Sequence, residues 1–248
     1  MKTFGLIGYR LGHSFSKSYF NRKFTLNNID DCVFENFELD TIADFPQLIS
    51  EEPSLVGLNC TIPYKQEVMC YLDEIDAVAR QIGAVNTIKI IRGEKLRLVG
   101  YNTDSYGFEM SLKPLLCSFH DKALILGTGG AAKAVKYVLE KLNINVVLVS
   151  RASAKSHGVL SYEDLTEEVI HARKLIVNTT PCGTTPNVDE CPEIPYEYLG
   201  SEHCLYDLIY NPEETKFLKK GRERGATIKN GLEMLHLQAE KAWEIWHE

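Results

Sequence analysis

The sequence predicts a two-domain α/β protein whose second half carries a parallel sheet. Three observations predict it. Short apolar strands alternate with helical patterns along the chain. A glycine-rich turn at Gly127–Ala132 joins a strand to a helix. Four polar clusters in the first half stand at the ends of expected strands. A chain of 248 residues, 44% of them hydrophobic, has the length and the apolar content for two modest domains. A net charge of −7 without a basic run argues against nucleic acid as the main partner. No apolar run is long enough to span a membrane, and the N-terminus has no signal-peptide layout. Seven cysteines are scattered without a C-x-x-C pair, which predicts reduced thiols, a cytoplasmic location and no metal centre.

The elements follow in order. Thr3–Gly8 is a strand that runs into the Gly8–Gly12 turn. Lys17–Leu26 is a helix with Ser16 in the capping position. Cys32–Leu39 is a strand and Ile42–Ile49 a helix. Leu55–Ile62 is a strand, and Pro63 opens a helix, where a missing N–H costs nothing. Val85–Ile91 and Leu96–Tyr101, joined by Arg92-Gly93-Glu94-Lys95, form a hairpin. Asp104–Cys117 is a helix. Ala123–Leu126, Asn145–Val149, Leu175–Asn178 and Cys204–Leu208 are strands of one parallel sheet. Gly231–Trp246 is a closing helix. Gly231, Met234 and Gln238 share one of its faces, and Leu235, Ala239, Ala242 and Trp246 form an adjoining apolar face. The expected domains are residues 1–103, completed by helix 231–248, and residues 104–230. A cleft between them, hinged near Asp104, is the expected ligand site.

Gly127-x-Gly129-x-x-Ala132 is the glycine/alanine form of a dinucleotide fingerprint. Gly127 permits a tight turn, Gly129 lets the backbone approach a pyrophosphate, and Ala132 lets helix and strand pack closely. Free N–H groups at the helix start face the phosphates. Strand, turn, helix and second strand inside about 30 residues make a Rossmann-like domain. The end of the second strand selects the nucleotide. NAD-binding units carry Asp or Glu about 20 residues beyond the glycines. Here stand Ser150 and Arg151, with Lys155 following. A guanidinium binds a 2′-phosphate by charge-assisted hydrogen bonds and stacks on adenine, which points to NADP. The same two cations also read as solvated charges in a loop.

The four clusters are His13–Ser16, Asn59–Lys65, Gly83–Thr87 and Gly100–Asp104. Extended geometry puts Asn59, Thr61, Pro63 and Lys65 on one side, and Ser14 and Ser16 on one side. Each cluster also has an ordinary structural reading: Ser16 and Thr61 as helix caps, Asn86 and Asp104 as turn residues, Lys65 as a solvated lysine. Together they supply hydroxyls, amides, one ammonium and one carboxylate. That inventory suits a small polyhydroxylated acid.

In these motifs and their order the chain resembles the shikimate dehydrogenases over nearly its whole length. The family's His-Ser-x-Ser is matched by His13–Ser16, its Asn-x-Thr-x-Pro-x-Lys by Asn59–Lys65, its Gly-Ala-x-Asn-Thr by Gly83–Thr87 and its Asn-Thr-Asp by Asn102–Asp104. The glycine turn, Asn178–Gly183, Asp207–Pro212 and Gly231–Ala239 match the rest. The resemblance implies a substrate domain followed by an NADP domain. It implies reversible reduction of 3-dehydroshikimate to shikimate by NADPH, in aromatic amino-acid biosynthesis. It implies Lys65 and Asp104 as the catalytic pair, and Ser14, Ser16, Thr61, Asn86, Tyr210 and Gln238 as holders of shikimate. It implies NADP on Gly127, Thr128, Gly129, Gly130, Ala131, Ser150, Arg151, Lys155, Asn178, Thr179, Thr180 and Gly231. The expected partners are small molecules, and the expected assembly is a monomer or homodimer. Lys17, Ser150 and Thr184 stand where the family usually has proline, asparagine and methionine. The rival readings are a quinate/shikimate dehydrogenase using NAD and a non-catalytic NADP sensor. Arg151 argues against the first, and the presence of both Lys65 and Asp104 against the second.

Overall fold

The computed structural model describes residues 1–12, 15–151 and 158–248. Two compact units divide the chain. One holds Met1–Thr103 with Ala239–Glu248, and the other holds Asp104–Gln238.

The first unit contains strands β1 (Lys2–Gly8), β2 (Cys32–Glu38), β3 (Leu55–Cys60), β4 (Glu74–Ile75), β5 (Thr87–Arg92) and β6 (Leu96–Tyr101). Its helices are α1 (Phe15–Leu26), α2 (Phe45–Glu51) and α3 (Ala77–Ile82). The strands form one sheet in the order β2-β1-β3-β5-β6-β4. β1 runs parallel to β2 and β3, whereas β5 is antiparallel to both β3 and β6. Alternation along β1 sends Phe4 and Leu6 to one apolar cluster and Ile7 to another. The first cluster adds Phe20, Phe24 and Phe34 to Ala239, Ala242 and Trp246 from the end of the chain. Phe20 and Phe34 stack with ring centroids 4.8 Å apart. Burying each phenylalanine contributes about 1.5–3 kcal/mol. Trp246 is held in place by its indole N–H, which donates to the Ile88 carbonyl at 3.0 Å. A side chain at Gly57 would collide with the Trp246 ring.

The second unit contains β7 (Lys122–Leu126), β8 (Asn145–Val149), β9 (Val159–Leu160), β10 (Leu175–Asn178), β11 (Cys204–Asp207) and β12 (Thr227–Lys229). Its helices are α4 (Thr103–Leu112), which starts one residue before the unit, α5 (Gly130–Lys141), α6 (Glu167–Ala172) and α7 (Lys216–Glu223), with the first part of α8 (Leu232–His247). All strand pairs are parallel, in the order β12-β11-β10-β7-β8-β9. Apolar residues cover both faces. Ala123, Ile125, Leu175, Val177 and Tyr206 pack on one side, and Leu124, Leu126, Ile176 and Leu205 on the other. Counted along the chain, the order is 6-5-4-1-2-3, the doubly wound Rossmann arrangement. Its direction reverses between β7 and β10, where such sheets bind ligands. No helix among the described residues is long and apolar enough to cross a membrane.

Several expectations are corrected. α1 begins at Phe15, so Ser16 lies inside the first turn and does not cap it. The Phe15 ring stacks on Tyr19 one turn later, which carries the helix back past Ser16. Pro63 opens no helix. Residues 62–66 form turns, and the Tyr64 N–H closes one on the Thr61 carbonyl at 3.0 Å. Proline suits such turns as well as it suits a helix start. The strand before it ends at Cys60, so period-two alternation does not carry through to Pro63 and Lys65. The helix expected over Asp104–Cys117 ends at Leu112 and tightens into a 3₁₀ turn over Lys113–Leu115. Pro114 lies in that turn, without an N–H to continue the helix.

Candidate active site

In the first unit, sheet register gathers three of the polar clusters. Asn59 pairs with Thr87, and Thr87 pairs with Tyr101, across β3, β5 and β6. The Cys60 N–H donates to the Asn86 carbonyl at 2.8 Å, and the Thr61 N–H to the Ile7 carbonyl at 3.0 Å. Asn86 is 3% exposed. Its Oδ1 accepts from the Thr103 N–H at 2.7 Å, and its Nδ2 donates to Thr103 Oγ1 at 3.1 Å. Asn86 thereby fixes the start of α4, one residue before Asp104. Asp104 is half-buried in the first turn of that helix, where the helix dipole favours a negative charge. Asn59 donates to the Asn86 carbonyl and to Thr87 Oγ1, both at 3.3 Å. Its Oδ1 is buried without a hydrogen-bond partner.

Thr61, just before the turns that follow β3, and Lys65, within them, are both half-buried. The Lys65 carbonyl accepts from the Val85 N–H at 2.7 Å, which ties that turn to the Gly83–Thr87 cluster. Ser16 is half-buried on α1. Ser14 and Lys155 lie outside the described residues.

In the second unit, the glycine turn stands at the point where strand order reverses. Gly127 has φ of 111°, a conformation open to glycine, and a Cβ there would sit 2.7 Å from Thr179 Oγ1. Cβ atoms on Gly129 and Gly130 would meet nothing within 4 Å, so the backbone is open to a ligand's approach. No side chain caps α5. The N–H groups of its first turn have no partner within the helix and suit a phosphate. The Thr179 N–H and hydroxyl both donate to the Leu126 carbonyl, at 3.0 and 2.7 Å, and bind the loop after β10 to the end of β7. The residues present therefore fit a dinucleotide. At the end of β8, the Ser150 N–H donates to the Leu160 carbonyl at 2.9 Å, and Arg151 is exposed.

Asn178 and Asp207 close β10 and β11 and face each other in register, both fully buried. Asp207 Oδ1 accepts from Asn178 Nδ2 at 3.0 Å and from the Ile209 N–H at 3.1 Å, and Oδ2 accepts from Thr215 Oγ1 at 2.6 Å. Burial pushes this carboxyl up to about 6, against the downward pull of its three donors. The folded chain holds the proton more tightly than the unfolded chain, so the sign is fixed. The group's contribution to stability is greatest below about pH 4 and declines as pH rises to about 6, by up to about 3 kcal/mol. Asp207→Asn is expected to gain on the wild type across that window. Urea unfolding at a series of pH values measures it, and a pH-independent difference would refute the raised carboxyl.

Tyr210 lies after β11, 37% exposed, and burial of its remainder raises its hydroxyl's pKa. Gln238 is 7% exposed on α8, with Nε2 donating to the Leu235 carbonyl at 2.9 Å. The backbone of Gly231 lies against Leu208, whose carbonyl oxygen would be 2.1 Å from a Cβ. That close approach is by itself a reason for glycine there.

The profile of the Shikimate dehydrogenase substrate binding domain matches residues 6–88. The NADP(+) shikimate dehydrogenase of Clostridium perfringens is 40% identical, covering 100% of this chain and 93% of that one. The chain belongs to the shikimate dehydrogenase family. A shikimate dehydrogenase solved in complex with NADP+ superposes with a TM-score of 0.84 at 34% identity, covering 99% of this chain and 89% of the other. The enzyme of Thermus thermophilus, solved with NADP(H) and shikimate, gives 0.85 at 29% identity, covering 99% and 93%. Membership accounts for the pairing of a mixed sheet rich in polar strand ends with a doubly wound parallel sheet. Reading the sequence missed the buried partners of this machinery, Thr87, Thr103, Asp207 and Thr215. The only signal for them was their place inside or beside the matched motifs.

Proposed function

We propose that this chain catalyses the reversible reduction of 3-dehydroshikimate to shikimate with NADPH, in aromatic amino-acid biosynthesis. The observation that carries the reading is the glycine turn at the reversal point of a parallel sheet, with Arg151 where NAD-binding units carry an acid. The family's NADP(+) shikimate dehydrogenases support it over the full chain. NADPH, when bound, supplies the hydride. The N–H groups of Gly129, Gly130 and Ala131 hold its pyrophosphate, with Gly127 and Thr128 shaping the turn. Ser150, Arg151 and Lys155 hold the 2′-phosphate. Asn178, Thr179, Thr180 and Gly231 complete the cofactor's surroundings.

Lys65 Nζ donates a proton to the substrate oxygen as the carbonyl is reduced, and takes it back in the reverse direction. Asp104 accepts from the neighbouring hydroxyl and orients the ring. Ser14 and Ser16 bind the carboxylate, and Thr61, Asn86, Tyr210 and Gln238 bind the remaining oxygens. An amide nitrogen donates twice, so Asn86 keeps one donor beyond its bond to Thr103. The protein works on small molecules as a monomer or homodimer. In the cytoplasm its cysteines stay reduced; none forms a disulfide among the described residues.

The test is turnover of purified protein with shikimate or quinate against NADP or NAD. NADPH formation with shikimate is expected. Nucleotide binding without turnover would establish a sensor, and faster turnover with quinate and NAD would establish the other dehydrogenase. Within this reading, Gln238→Ala raises KM for shikimate about tenfold, the worth of one hydrogen bond to a substrate oxygen, and leaves KM for NADP unchanged. Tyr210→Phe acts in the same direction. Equal effects on both substrates would point to a folding defect instead.

A further inference from the structure

Asp207 is a buried carboxylate whose bonding partners come from three separate segments. Through Asn178 Nδ2 it reaches the loop after β10. Asn178 passes the restraint on, since its Oδ1 accepts from the Thr180 N–H at 3.1 Å and from Thr180 Oγ1 at 2.7 Å. The neighbouring Thr179 is the residue that packs against Gly127. Through the Ile209 N–H, Asp207 reaches the segment leading to Tyr210, and the Ile209 carbonyl in turn accepts from the Gly231 N–H at 3.1 Å. Through Thr215, it reaches the residue that caps α7 by accepting from the Leu218 N–H. These three partners are neutral donors, so the carboxylate works as an acceptor hub.

We propose that Asp207 is a positioning residue for the cofactor, locking Asn178 and through it the Thr179–Thr180 turn against the glycine turn. This rests on the reading of Gly127 and Asn178–Thr180 as the NADP site. Asp207 itself touches neither cofactor nor substrate. It removes the rotamer freedom of Asn178, so that the loop meets the cofactor already ordered. Replacing the carboxylate by an apolar group leaves the buried Asn178 amide without that acceptor, and the amide then turns away from Thr180 or toward water. An amide in place of the carboxylate keeps the lock. Its oxygen accepts from Asn178 and Ile209, and its nitrogen donates to Thr215 Oγ1, which can reverse its role.

The experiment is calorimetric titration of NADP into the whole protein without substrate. Asp207→Leu is expected to weaken NADP about tenfold, and Asp207→Asn less than about threefold. In an Asn178→Ala background, Asp207→Leu adds less than about twofold, because the link it cuts is already gone. Asp207→Val is a milder companion should the leucine variant fail to fold; a β-branched residue suits a strand end, and valine offers Asn178 no acceptor. The same loss is expected of it. Thermal unfolding separates a structural role. Lower Tm with unchanged NADP affinity in a folded apolar variant overturns the proposal, as do losses that multiply in the double variant. Wild-type protein that takes up no NADP overturns the cofactor reading itself, a result distinct from wild-type binding with indifferent variants.

Discussion

Lys65→Ala is expected to lower kcat for shikimate oxidation by about 10²–10⁴-fold, the usual contribution of a positioned general acid–base group. NADP affinity stays within about twofold. The separation follows from where the residues lie. Lys65 lies on the turn after β3, and the pyrophosphate contacts are assigned to the N–H groups of the glycine turn after β7, so the substitution removes none of those contacts. The fold should survive the change, because the turn is held to Val85 by the Lys65 main-chain carbonyl, which alanine retains. Asp104→Asn loses less activity. An amide still hydrogen-bonds to a hydroxyl, although the favourable charge in the first turn of α4 is gone. Steady-state kinetics with NADP titrations check both variants. Near-normal turnover in Lys65→Ala removes that residue from the chemistry.

Arg151→Ala is expected to abolish most of the preference for NADP over NAD, by about ten- to hundred-fold in the ratio of catalytic efficiencies. A charge-assisted contact to the 2′-phosphate is worth about 1.5–3 kcal/mol. Arg151 is exposed, so salt draws the effect toward the lower figure. NAD use changes little, because NAD offers no phosphate at that position. Adding Ser150→Asp reverses the preference, since a carboxylate repels the phosphate and accepts from the ribose hydroxyls. The backbone tolerates the change, as Ser150 is fixed to Leu160 through its main-chain N–H. An unchanged ratio in Arg151→Ala, or a wild type that prefers NAD, would show that another residue reads the phosphate.

The second unit was the more legible one. Its central strands are short, apolar and separated by a fingerprint with a known backbone reason, so β7, α5, β8, β10 and β11 stand out from local pattern. β9, β12, α6 and α7 do not. They run for only two to eight residues, too short for a local pattern to stand out, and pairing with β8 and β11 or capping by Thr166 and Thr215 fixes them. In the first unit the polar residues could be picked out but their arrangement could not. Proline in a turn and proline at a helix start look alike in sequence, which hid the turn carrying Lys65. The bonds from Asn86 to Thr103 and from Asp207 to Asn178 span 17 and 29 residues, and no local pattern announces a partner at that distance.

The apolar cover of the first sheet is completed by Ala239, Ala242 and Trp246, whereas the strands they cover come before residue 104. During synthesis, Phe4, Phe20 and Phe34 therefore wait for the whole intervening segment to be made. The second unit can form while the first is still open on one side. A fragment ending at Thr103 would expose Gly57 and the phenylalanines that Trp246 shields, and it would be prone to aggregate. Supplying the missing stretch as a separate peptide should rescue its solubility.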